Sequence, residues 1–128
     1  MLLADDEHGL REALEDLIDR TPHLELVGSV ADAEAAVELA AQVQPDVALV
    51  DVRMPRGGGP QAAAGIGERS PDTRVIAFSA YDDPTSLSAM LAAGASGYLV
   101  KGAPNQEIIE ALRSAGLEAK RAKASDAF

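Results

Sequence analysis

The run Val47-Ala48-Leu49-Val50-Asp51 constrains this chain more than any other stretch. Four consecutive apolar residues, rich in Val and Leu, read as a strand buried on both faces, which belongs inside a covered parallel sheet. The run ends in a carboxylate, and Pro55 stops regular structure four residues later. The carboxyl end of a buried parallel strand is where open α/β sheets place their ligands. Taken alone, Asp51 also fits a plainer role, a strand-end residue capping a turn.

The surrounding pattern supplies the rest of such a sheet. Leu2-Leu3-Ala4 is the end of a short apolar strand that runs into Asp5-Asp6-Glu7. So few residues precede it that part of this first strand is expected to be missing. Leu10, Ala13, Leu14, Leu17 and Ile18 fall on one face of a helix over 9–20, which Thr21-Pro22 ends. Residues 24–30 alternate partially and predict an edge strand. Asp32 caps a helix over 33–44 that carries Ala36, Val37, Leu39, Ala40 and Val43 inward. After the central strand, Arg56-Gly57-Gly58-Gly59-Pro60 reads as a loop, and 61–69 as a weak helix burdened by Gly65 and Gly67. A buried strand over 74–79 follows, then a helix from Asp82-Asp83-Pro84 to about Ala93. Gly97-Tyr98-Leu99-Val100-Lys101 is the last strand, and 106 to about 120 the last helix. The domain is expected to span 1–117. Residues 118–128 have no evident apolar face and read as a helix end or linker tail.

Strand then helix, five times over, implies right-handed crossovers and a parallel sheet covered on both faces. The economical architecture is a doubly wound, flavodoxin-like (βα)5 domain with strand order 2-1-3-4-5. The length of 128 residues suits one core, and with aromatics at 3% that core must be aliphatic. The chain contains no cysteine, which excludes disulfides and thiolate metal sites and is compatible with a reducing cytoplasm. A net charge of −10 repels phosphate backbones, so direct nucleic-acid binding by this chain is not expected. No apolar run approaches the roughly 20 residues needed to span a bilayer.

In the 2-1-3-4-5 order, the strand ends bring Asp5-Asp6, Asp51, Ser79 and Lys101 to one pocket. Three close carboxylates repel one another unless something compensates them. A hard divalent cation such as Mg²⁺ does so with oxygen ligands, and Lys101 adds a positive point charge. Such a set would neutralise charge building on a phosphoryl group in transfer to Asp51, with the Ser79 hydroxyl free to bond a phosphoryl oxygen. Singly, the same residues have plainer readings. An acidic helix start, a solvated lysine, a strand-end hydroxyl and, at Tyr98, half-buried strand filler are all common. Their joint occurrence in this order is far more specific.

Over nearly its whole length the chain resembles the receiver domains of bacterial two-component response regulators, and it is similar to the receivers of helix-turn-helix regulators. Asp5-Asp6, Leu49-Val50-Asp51-Val52-Arg53-Met54-Pro55, Ser79-Ala80 and Gly97-Tyr98-Leu99-Val100-Lys101 carry the resemblance. It implies that Asp51 is the phosphoacceptor. Asp6, Asp51 and the Arg53 carbonyl would bind Mg²⁺, with Asp5 acting through water. Lys101 and Ser79 would contact the phosphoryl group, and Ser79 and Tyr98 would form the switch. Arg53 and Tyr81 would flank the entrance and tune the lifetime of the modified state. The implied partners are a sensor histidine kinase, an output domain or downstream protein, and a second copy of the chain on phosphorylation. The implied setting is cytoplasmic, and the implied activity is self-modification rather than turnover. One departure is Gly102, where many receivers have proline after the lysine.

Two alternatives compete. A haloacid-dehalogenase-type phosphatase also uses a strand-end Asp with Mg²⁺, but it wants a second Asp two residues on, where this chain has Arg53. A receiver-like module that signals by contacts alone would not need every acceptor-site residue type that is present here.

Overall fold

The computed structural model describes residues 1–80 and 83–126. Ten elements alternate: β1 (Leu2–Ala4), α1 (His8–Asp19), β2 (Gly28–Val30), α2 (Ala33–Val43), β3 (Val47–Asp51), α3 (Gly58–Arg69), β4 (Arg74–Ser79), α4 (Pro84–Ala92), β5 (Gly97–Val100) and α5 (Asn105–Asp126). The strands form one parallel sheet in the order β2-β1-β3-β4-β5, as the pattern predicts. Ala4 pairs with Val50, Asp51 with Phe78 and Ser79 with Val100, so the strand ends lie side by side along one edge.

Side chains alternate across the sheet with a period of two. Ala48 and Val50 of β3 enter one core, with Leu2, Ala4, Val75 and Ala77, beneath α2, α3 and α4. Val47 and Leu49 enter the other, with Leu3, Ile76, Phe78 and Leu99, beneath α1 and α5. The first core is built from small side chains. Ala36 and Ala40 of α2 and Ala62 and Ala63 of α3 are all buried, so those helices approach closely.

Glycine explains where α3 departs from expectation. The glycine run was expected to be loop, but α3 opens at Gly58. A Cβ on Gly59 would sit 2.5 Å from the Asp51 carbonyl oxygen and 2.6 Å from Val52 Cα, so only glycine lets the helix start against the end of β3. Gly65, expected only to weaken the helix, is where Val37 of α2 packs, 2.7 Å from the place a Cβ would take.

Two other bounds differ. The expected strand over 24–30 is paired only from Gly28, because β1 begins at Leu2 and its ladder reaches no further. Before it, Val27 N–H donates to the Met1 carbonyl at 2.8 Å, and the Met1 amino group bonds the Glu25 carbonyl. The stretch assigned no apolar face instead continues α5 as helix to Asp126. Ala119 is fully buried and Lys123 pairs with Asp46 at 2.8 Å. Small alanines spaced among charges carry little periodic signal, which is why the sequence hides this contact.

Candidate functional site

The site is assembled by strand ends. β1 leads into Asp5, which is buried, and Asp6, which is exposed, and both offer a carboxylate oxygen to one cluster. Asp5 is wholly buried, and its Oδ1 accepts the Glu7 N–H at 2.8 Å. Asp51, the last residue of β3, is 3% exposed. Its Oδ1 accepts the Arg53 N–H at 3.2 Å. Donor oxygens of Asp5, Asp6 and Asp51 all lie within 4.8 Å of one another.

Lys101, just past β5, completes the cluster. Its Nζ lies 3.1 Å from Asp51 Oδ2, 3.6 Å from Asp5 Oδ2 and 3.8 Å from Glu7 Oε2. Its main-chain N–H donates to the Ser79 carbonyl at 2.8 Å, which ties the lysine to the end of β4. Gly102 follows at φ +95°, a turn conformation that glycine adopts freely. The Nζ also stands 5.8 Å over the Phe78 ring, a minor attraction beside three carboxylates.

The electrostatics follow from this crowding. Burial, and then the Asp5 charge, push the Asp51 carboxyl up to about 6, against the lowering effects of the Arg53 N–H and of Lys101. Burial alone would lower the Lys101 ammonium; its bond to Asp51 and the charges of Asp51, Asp5 and Glu7 outweigh that and raise it. Asp5 Oδ2 is buried without a hydrogen-bond partner among the described residues. An orphaned buried carboxylate oxygen, within reach of two more carboxylates, fits a hard cation that takes oxygen ligands. These residues therefore suit Mg²⁺.

The remaining expected residues occupy different positions. Ser79 is buried, and its hydroxyl donates to the Ala80 carbonyl at 3.1 Å. Tyr98 is 55% exposed on β5, outside the cluster. The Arg53 side chain pairs with Asp83 Oδ2 at 2.8 Å. Tyr81 lies outside the described residues. Two participants escaped the sequence reading. Glu7 stood in the acidic run, but nothing marked it as a partner for Lys101. Asp83 was visible only as the acid before Pro84 at a helix start.

The chain also matches known proteins over most of its length. Residues 1–113 match the family profile of the response regulator receiver domain. The chain belongs to this family. It is 35% identical over 113 residues to the transcriptional regulatory protein DegU of Brevibacillus brevis, covering 88% of this chain and 48% of that protein. It is 37% identical over 119 residues to the DNA-binding transcriptional activator DevR/DosR of Mycobacterium tuberculosis, covering 91% and 54%. The receiver thus spans about half the length of these relatives. Among solved structures, the receiver domain of the response regulator NarL from Mycobacterium tuberculosis superposes with a TM-score of 0.82 at 35% identity, covering 90% of this chain and 93% of that one. The receiver domain of an HD domain-containing protein from Pseudomonas fluorescens superposes with a TM-score of 0.88 at 26% identity, covering 96% and 90%. Domains of this family are generally not turnover enzymes, and they generally bind Mg²⁺.

Proposed function

We propose that this receiver accepts a phosphoryl group on Asp51 and thereby changes the surface formed by α4, β5 and α5. The observation that supports this reading most is the buried Asp51 carboxylate held between Lys101 and the Asp5–Asp6 pair. A carboxylate oxygen of Asp51 attacks the phosphorus of a phosphohistidine or a small acyl phosphate. A P–O bond forms to Asp51 as the bond from phosphorus to the leaving imidazole or carboxylate breaks. Asp6, Asp51 and the Arg53 carbonyl would hold Mg²⁺, with Asp5 acting through water. That ion would supply positive charge for the phosphoryl oxygens.

Lys101 provides compensation from this chain's own side chains. Its Nζ, now shared among Asp51, Asp5 and Glu7, can follow the new charge onto a phosphoryl oxygen. The Ser79 hydroxyl exchanges the Ala80 carbonyl for a phosphoryl oxygen. That movement vacates room for Tyr98 to turn inward from its exposed position, the packing event that the change of charge would drive. Arg53 would tune the lifetime of the modified state by hindering attacking water, the role proposed also for Tyr81.

The setting proposed is cytoplasmic, with a sensor histidine kinase as donor. The unit spanning 1–117 would pass its change through 118–128 to an output domain or a downstream protein, or pair with a second copy. Among the described residues no helix is long and apolar enough to cross a membrane.

Intact mass after incubation with acetyl phosphate tests this reading. We expect one phosphoryl mass added only with Mg²⁺ and absent in Asp51→Ala. After donor removal, Arg53→Ala is expected to lose the group faster. No gain in the folded wild type would contradict the proposal.

A further inference from the structure

Arg53 is joined to the acceptor and to α4 at once. Its main-chain N–H reaches Asp51 Oδ1, and its side-chain Nε lies 2.8 Å from Asp83 Oδ2. Asp83 is the N-cap of α4. Its Oδ1 accepts the Ser86 N–H at 3.3 Å, and its carbonyl accepts the Leu87 N–H at 3.2 Å. The two partners differ in exposure, with the Arg53 side chain 76% exposed and that of Asp83 only 8%. The carboxylate is therefore fixed in the fold, whereas the guanidinium is free to leave it through solvent.

The helix at the other end of this contact is loosely held. Met90 is the buried residue of α4, whereas α2 and α3 bury several each. Its first turn accordingly depends on the cap, on Pro84 and on the ion pair more than on packing.

We propose that Arg53 and Asp83 form an electrostatic clip between the acceptor loop and the first turn of α4, opened by new charge on Asp51. The proposal rests on the phosphoacceptor reading above. A phosphoryl group carries roughly one and a half to two negative charges near neutral pH. Placed on Asp51, it competes with Asp83 for a guanidinium whose main chain already touches the Asp51 carboxylate. An ion pair with one partner largely in solvent is a weak contact, so a nearby dianion suffices to redistribute it. Loss of Arg53 leaves the cap hydrogen bond in place but removes the tie between that cap and β3. The first turn of α4 then moves independently of the acceptor loop. Asp83 is thus a positioning residue: it holds Arg53 at the first turn of α4 before phosphorylation and releases it afterwards.

Amide hydrogen exchange at Ser86 and Leu87 tests the clip. The full chain is measured with and without acetyl phosphate and Mg²⁺, beside Asp83→Asn, Arg53→Gln and the double variant. Asparagine caps a helix as well as aspartate does, so Asp83→Asn removes the charge and keeps the cap. Without donor, each single variant is expected to exchange about two- to five-fold faster than wild type at these amides, the range an exposed ion pair supports. The double variant is expected to match the singles, because both remove one contact. Phosphorylated wild type is expected to reach the same rate, and phosphorylation of the variants to add nothing at these two amides. Wild-type rates in both single variants, or fully additive effects in the double, would overturn the clip while leaving the phosphoacceptor reading intact. Intact mass of the same samples separates the two cases: no phosphoryl gain in any of them overturns the underlying reading and, with it, the opening of the clip.

Discussion

Asp51 carries a cost in the resting fold that its chemistry explains. Burial and the Asp5 charge raise its carboxyl from an ordinary 3.8 to about 6. A carboxylate whose folded pKa lies above its unfolded value favours the native state most when it is protonated. Its contribution is full below about 4 and is lost as pH rises through about 6. In a chelator-containing buffer at pH 7, Asp51→Asn is therefore expected to stabilise the fold by about 1–2 kcal/mol, and the advantage is expected to shrink as pH falls toward 4. Thermal melts of both proteins across that range check this. An Asn variant no more stable than wild type at pH 7 would mean that Lys101 already cancels the repulsion. Asp51, Lys101 and the acidic pair were legible in the sequence because each ends an apolar run. The Arg53–Asp83 contact was not, because a link between two loops has no period and no fixed spacing.

At the scale of elements, the glycines of α3 separate two roles that composition cannot distinguish. Gly59 lies against main chain at the end of β3, whereas nothing lies within 4 Å of a Cβ on Gly67. Gly67→Ala is expected to stabilise the chain by about 1 kcal/mol through helix propensity alone. Gly59→Ala is expected to destabilise it by about 1–3 kcal/mol, because the atoms it meets are backbone. Denaturant midpoints of the two variants decide the matter, and equal shifts of the same sign would contradict the packing account. The type and order of all ten elements followed from the alternation of buried runs and amphipathic stretches. The bounds that slipped, at α3, β2 and the end of α5, were set by tertiary contacts. Gly59 against the Asp51 carbonyl, β1 beginning at Leu2, and the burial of Ala119 on α5 are invisible to any local pattern.

Across the whole molecule, a sheet covered on both faces holds the strand ends rigid while leaving their edge open. Apolar cores on either side fix β1, β3, β4 and β5, so Asp5, Asp51 and Lys101, distant in sequence, meet without a dedicated loop. The net charge of −10 concentrates part of its repulsion in this one cluster, where Lys101 offsets it. The fold thus places the Asp51 carboxylate, its compensating cation and a weakly packed helix within one connected set of contacts. We propose that Asp51 becomes an acyl phosphate. Borohydride reduction after acetyl phosphate treatment with Mg²⁺, followed by peptide mass spectrometry, is the decisive measurement, since the hydride converts an aspartyl phosphate to homoserine. Homoserine is expected at position 51 alone; homoserine at position 5 or 6, a phosphate ester on Ser79, or no modification would contradict the proposal.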